Sequence, residues 1–298
     1  MRTVLGTMLA AGMVLRLAWV HGWHPLLQIG ACSGGPKTKG THVVKSKEIV
    51  VRYEELLELL KTRRTVRALK PDSLPGGVIE KMLEAARWAP TGFNMQPQEL
   101  LVVEDAVVRD EVRKIVEKWI DSDFYDLEVT REPWQGPPWT PESRGRVSCP
   151  VAPAYVLVLG DTRRRAGLPM NARYEKHKGE SIFESSLSNA FFCLWLAAHS
   201  LGLGAQPVSA VKNGRVQGLI KHLLNLPDFI CVYEMLAIGY PASAAGPPAK
   251  LMRHLDDIVH RDKAREDEFA DGKELQKQIR KLRMGNVARH ADPERARE

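Results

Sequence analysis

From Tyr53 onward, apolar and polar positions recur with regular spacing. In YEELLELLKTRR the leucines at 56, 57, 59 and 60 form a stripe that ends in cations, which suits the negative end of a helix dipole. PGGVIEKMLEAARWAP then places Val78, Met82, Ala85 and Ala89 on one helical face, and Pro90 stops it. LLVVE at 100–104 is a short apolar run suited to a buried strand. Residues 105–120 return to helical spacing, with Val108, Val112, Ile115, Val116 and Trp119 inward. AYVLVLG at 154–160 predicts a second buried strand. The longest helix covers 181–201, and its middle, Ala190 to Ala198, is apolar on every side. Such a helix is expected to be covered around its circumference, as a central core or subunit-interface element. Gly202 stands at its C-cap. GAQPVSA, the helix RVQGLIKHLLN and the strand YEMLAIGYP complete the body near Pro241. No glycine-rich loop follows the first strand, so this is not a dinucleotide-binding unit of the Rossmann type.

Three stretches lack this regularity. Residues 121–150 are proline-rich, have no clear period, and with Trp119 carry Phe124, Tyr125, Trp134 and Trp139. Disordered loops are poor in aromatics, so the segment reads as a substrate cover in which Tyr125, Trp134 and Trp139 form the lid. From Arg261 onward, 20 of 38 residues are charged, and Leu275, Ile279 and Leu282 leave one thin apolar stripe, as in a solvated terminal helix or one laid across a partner. Residues 1–47 contain the apolar run TVLGTMLAAGMVL, interrupted by Arg16, and IGAC ending at Cys32. They read as an extension outside the folded body, with an export signal or membrane anchor as the alternative. The expected organisation is an extension at 1–47, one domain at 48–260 with its lid near 121–150, and a helical tail at 261–298. The expected location is the cytoplasm unless residues 1–32 direct export or anchoring.

The formal charge of +7 suggests a nucleic-acid partner only at first sight. Six basic residues (Arg2, Arg16, Lys37, Lys39, Lys45 and Lys47) precede the first acid, Glu48, and the rest of the chain is within one charge of neutral. A broad nucleic-acid face is therefore not expected. Cys32, Cys149, Cys193 and Cys231 are scattered, with no CxxC spacing, and neither HExxH nor a His/Cys cluster occurs. No metal and a reducing compartment follow, with Cys193 and Cys231 as buried thiols inside apolar runs.

There is no GxSxG, no Walker A loop and no metal signature, and scattered Ser, His and Asp do not make a nucleophilic site. The candidate chemistry lies elsewhere. KTRRTVR packs Lys61, Arg63, Arg64 and Arg67 into seven residues without an acid. Two or more arginine forks match a phosphate group, and Thr65 adds a hydroxyl donor. In APTGFNMQP, Asn94 and Gln96 carry amides able to read a heterocycle edge. Taken singly, each has a plain structural reading as surface charge or turn former.

In order, these blocks resemble the nitroreductase family of flavoproteins. The resemblance runs from RRTVRALKPDSLPGGVIEKMLEAARWAPTGFNMQPQELLVVED through APAYVLVLGD, the helix with Asn189, LGLGAQPVSA and AIGYPASAAGPPAKLMRHLDDIVH, about residues 53–260. It implies an α+β fold with a mixed, mostly antiparallel sheet flanked by helices and a long buried central helix. It also implies FMN bound at the interface of a homodimer. Arg63, Arg64, Thr65 and Arg67 would hold phosphate and ribityl chain, and Asn94 would face the ring with Thr91 and Gln96 nearby. Pro207, Val208 and Ser209 would lie against the ring's N5 side from the other subunit. Arg253 would return to the phosphate, with Lys250 a weaker candidate.

The implied activity is ping-pong electron transfer from NADH or NADPH through FMN to a nitroaromatic, quinone or similar planar acceptor, with no catalytic side chain. The sequence departs from the family pattern at Gln98, Thr91 and Gln206, which border the expected ring pocket. Asp121 and Tyr125 distantly resemble the lid of the deiodinase branch. A reductive dehalogenase, a flavin-cleaving enzyme and a flavin-binding protein without turnover are the alternatives.

Overall fold

The computed structural model describes residues 53–120, 149–175, 177–243 and 250–291. The expected extension at 1–47, most of the lid with Tyr125, Trp134 and Trp139, and the last residues of the tail lie outside that range.

Four strands form one sheet in the order β1-β2-β4-β3: β1 (Gln98–Val103), β2 (Ala154–Asp161), β3 (Gly204–Pro207) and β4 (Ile230–Gly239). The resemblance implied a mixed, mostly antiparallel sheet, and every pairing among these described strands is antiparallel. β2 is buried along its whole length, as its unbroken apolar run requires when both sheet faces are covered. A bulge in β4 opposite Val158/Leu159 shifts the register.

Two helical layers cover the sheet. On one face α2 (Val78–Arg87) and α5 (Lys178–Ser200) pack Met82, Ala86, Phe183, Leu187, Ala190 and Leu194 onto Val156, Val158, Leu236 and Ile238. On the other face α3 (Ala106–Ile120) and α6 (Gly214–Leu223) pack Val112, Val116, Val216 and Ile220 onto Tyr155, Leu157 and Met235. A short helix, α4 (Met170–Arg173), precedes α5, and α7 (Gly272–Ala291) occupies the tail.

The buried face of α2 is Ile79, Met82, Ala86 and Ala89, with Val78 and Ala85 only half-buried, a rotation of about one residue from the expected stripe. The larger differences concern coverage. No residue of α1 (Tyr53–Thr62) is buried, so its leucine stripe has no core beneath it in this chain. Within 190–198 of α5 only Ala190, Leu194 and Ala198 are buried, while Phe192 stays 42% exposed. One chain covers one side of this helix, not its whole circumference. Gly202 takes φ 75° directly after it, the left-handed conformation that ends a helix without a Cβ penalty. No helix among the described residues is long and apolar enough to cross a membrane.

Candidate functional site

After α1 the chain leaves helical geometry and crosses the ends of β3 and β4. Val66 N donates to Ala205 O at 3.0 Å, Lys70 N to Tyr240 O at 2.8 Å, and Leu69 bridges Pro241. Gly204 makes this crossing possible, because a Cβ there would lie within 2.9 Å of the Val66 and Leu69 side chains. The segment carries Arg63, Arg64, Thr65 and Arg67 past the C-terminal end of α5. Arg63 lies with its guanidinium carbon 3.9 Å from the centre of the Trp195 ring, a cation–π stack. Its Nε and Nη1 are buried with no hydrogen-bond partner among the described residues. Arg64 Nη1 donates to the carbonyls of Lys61 and, at 2.9 Å, Arg63, so this side chain also caps α1. Arg67 is exposed, and Thr65 is half-buried.

The electrostatics of this cluster are one-sided. Burial lowers the Arg63 pKa, and Arg64 lowers it further. Lys250 is lowered by desolvation and by the same two arginines, which places it in their field. His199, one turn beyond Trp195 on α5, is lowered by burial and again by Arg63 and Arg64. No carboxylate among the described residues offsets any of these three groups. Arg253, expected to return to the phosphate, is exposed and donates through Nη2 to Asp257 O at 2.6 Å. The late cation that feels the arginines here is Lys250. His199 was missed in the sequence, and its only available signal was helical spacing from Trp195.

The turn after α2 is built differently. Phe93, Asn94 and Gln96 adopt φ of 53°, 51° and 45°. Left-handed geometry suits asparagine but strains the other two. Buried Met95 anchors the turn from below. Gly92 N donates to Ser186 Oγ at 3.1 Å, and Asn189 Nδ2 donates to Pro90 O at 2.9 Å, tying the turn to α5. Within it, Gln96 Nε2 donates to Asn94 Oδ1 at 2.9 Å and Gln96 N to Thr91 Oγ1 at 3.2 Å. Gly92 is required because a Cβ would sit 2.3 Å from Ile182 Cγ2.

Of the other expected residues, Pro207 closes β3, and Val208 is buried with its N–H on Met235 O at 2.8 Å. Ser209, itself exposed, opens a 3-10 turn that buries Val211 and ends at Lys212. Lys212 Nζ bonds Glu234 Oε2 at 2.8 Å and lies over the Tyr233 ring. Gln98 is half-buried with Oε1 unpartnered among the described residues, and Gln206 is buried. Cys193 and Cys231 are half-buried rather than fully buried free thiols. Outside the expected set, a cleft of about 470 Å³ lies between the N-terminal half of α5 and β4, lined by Glu180, Ser181, Glu184, Ser185, Ser188, His177 and Tyr233.

The expected residues therefore form two groups. The cations meet α5 at Trp195 and His199, beside the strand leading to Pro207. The Thr91–Gln96 turn meets α5 at Ser186 and Asn189. At about 1.5 Å and 100° per residue these contacts are roughly 14 Å apart along the helix and on opposite flanks of its buried face.

The nitroreductase family model matches residues 60–240, which span the whole sheet and both groups except Lys250 and Arg253. The chain belongs to the nitroreductase family. Among relatives, it is 27% identical to human iodotyrosine deiodinase 1 over 222 residues, covering 72% of this chain and 70% of that protein. It is 25% identical to a putative NADH dehydrogenase/NAD(P)H nitroreductase of Archaeoglobus fulgidus over 210 residues, covering 70% and 99%. Nitroreductase A of Vibrio parahaemolyticus shares the fold at TM-score 0.56 and 16% identity, covering 78% and 84%. The NADPH:FMN oxidoreductase of Vibrio harveyi does so at TM-score 0.54 and 17% identity, covering 76% and 84%. These likenesses make the nitroreductase α+β fold that of this chain.

Proposed function

We propose that this nitroreductase-family protein is an FMN-dependent oxidoreductase that passes electrons from NADH or NADPH to a nitroaromatic, quinone or similar planar acceptor. The observation that carries the reading is the group of Arg63, Arg64 and Lys250, which repel one another, with two buried guanidinium nitrogens of Arg63 unpartnered among the described residues. Cations held together without a carboxylate fit a phosphate group, which would offset their repulsion and accept from the Arg63 fork. Bound FMN would supply the redox chemistry, accepting electrons from the nicotinamide donor and passing them to the acceptor in turn.

The chain's own residues would do the rest. Arg63, Arg64, Thr65, Arg67 and Lys250 would hold the phosphate end, with Arg253 the less favoured late cation. Pro207, Val208 and Ser209 would form a wall fixed by the Val208–Met235 hydrogen bond. Thr91, Asn94 and Gln96 lie on the far flank of α5, so they would reach the ring of a flavin held mainly by a second copy. The uncovered side of α5, with Phe192 42% exposed, fits that homodimer. This allocation exchanges the two groups relative to the sequence expectation, in which Pro207–Ser209 came from the other subunit.

The test is the visible spectrum of the purified protein and its reconstitution with FMN, followed by anaerobic addition of NADH or NADPH and then a quinone. Bleaching and recovery are expected. A protein that neither carries nor takes up FMN overturns the reading. A second reading is reductive dehalogenation of a halogenated aromatic, favoured by the 27% identity to iodotyrosine deiodinase 1. Halide release from a halotyrosine, compared with nitroaromatic turnover under the same reductant, separates the two.

A further inference from the structure

His199 stands one turn from Trp195 on α5, so it shares the helix face on which Arg63 is stacked. Its Nε2 lies 2.9 Å from Thr62 Oγ1, and that hydroxyl donates to Glu58 O at 2.7 Å. With the hydroxyl proton already committed, Thr62 accepts, and the imidazole carries its proton on Nε2. Nδ1 is then left as the nitrogen able to gain a second proton. Thr62 from α1 bonds the ring, Arg63 and Arg64 from the segment that follows act on it electrostatically, and Trp195 stands one turn away on the same helix. Lys250 sits in the field of the same arginines. All the charges in this set are positive.

We propose that His199 is a proton-switchable member of the anion site formed with Arg63, Arg64 and Lys250, so that a phosphate-bearing ligand binds together with a proton taken up by its imidazole. This rests on the flavin reading above. In the ligand-free protein, burial and the two arginines hold His199 below its ordinary value of 6.5 and favour the neutral ring. A bound dianion offsets that field and favours the imidazolium. Reciprocity then requires tighter anion binding as pH falls between the two His199 pKa values, that of the complex and that of the ligand-free protein.

The phosphate of FMN itself titrates near pH 6, so its contribution must be separated. The probe is therefore the His199 ring resonance in isotopically labelled full-length protein, assigned by its loss in His199→Gln. It is titrated with pH in the ligand-free protein, with FMN, and with sodium sulfate, a dianion that does not titrate in this range. The His199 midpoint is expected to move upward with both anions. Affinity for FMN should fall about tenfold in His199→Gln at pH 5.5 and stay unchanged at pH 8, as a charge-assisted contact present only in the imidazolium requires. An upward shift with sulfate and no FMN binding keeps the anion site and overturns the flavin reading. FMN binding with an unmoved His199 midpoint overturns this proposal and leaves the flavin reading in place. No shift with either anion overturns the proposal outright.

Discussion

Arg63 is held in its half-buried position by the Trp195 ring, while Arg64 opposes its charge. Removing one of a set of like charges relieves repulsion, whereas removing a partner of a phosphate loses a charge-assisted contact of about 1.5–3 kcal/mol. Arg63→Ala loses the Trp195 stack while relieving the repulsion, so it should change the melting temperature of the ligand-free protein little, yet weaken FMN by roughly 10- to 100-fold. Thermal denaturation with and without FMN measures both. Glu234 makes the opposite kind of test. It is buried in β4, with Oε2 on Lys212 and Oε1 unpartnered among the described residues, and desolvation raises its carboxyl above the usual range. The folded state then binds more protons than the unfolded chain as pH rises past about 4.3. Its contribution is complete below that value and is lost as pH climbs through the folded-state value. Denaturant midpoints from pH 4 to 7 should fall less steeply in Glu234→Gln than in wild type. Equal slopes would remove Glu234 from the account.

At the scale of elements, glycines show where close approach matters. A methyl at Gly204 meets Val66 and Leu69 at 2.8–2.9 Å, so Gly204→Ala should cost about 1–3 kcal/mol and displace the arginine segment from β3. Weakened FMN binding should accompany the lost stability. Gly218 lies inside α6, where a Cβ meets nothing within 4 Å, and Gly218→Ala should raise stability by about 0.5–1 kcal/mol with FMN affinity unchanged. Urea unfolding and flavin titration of the two variants check the contrast. Element type was legible because period 3.6 and unbroken apolar runs reflect burial directly, as in α3 and β2. The short strand β3 was not, since GAQP has neither alternation nor β-branched residues and is a strand because β4 pairs with it. The inward face of α2 differed by one residue because Ile79, not Val78, faces the sheet-side layer.

At the scale of the molecule, one chain leaves apolar surface that a single domain does not explain. Phe192 on α5 and Tyr53, Leu56 and Leu60 on α1 are all more than a third exposed. If a second copy covers α5, the protein should sediment at about twice 33.4 kDa. Phe192→Glu should yield monomers that have lost FMN while keeping native secondary structure. Analytical ultracentrifugation with circular dichroism decides this, and a monomeric wild type that still binds FMN would sink the shared-site arrangement.

The linear chain by itself determined the family, the α+β class and most elements, because spaced motifs and hydrophobic period survive without coordinates. It also presented RRTVR as an anion candidate, since an acid-free run of arginines is visible residue by residue. Which residues stand beside them was decided only by tertiary structure. Lys250 enters the field of Arg63 and Arg64, while Arg253, three positions on, bonds Asp257 O instead. His199 joins through one turn of α5, and the Asn94 turn is carried to the opposite flank of the same helix. Sequence spacing records periodicity within an element, whereas electrostatic fields and hydrogen bonds act through space. That is why the cations could be read from the sequence, and the groups that stand beside them could not.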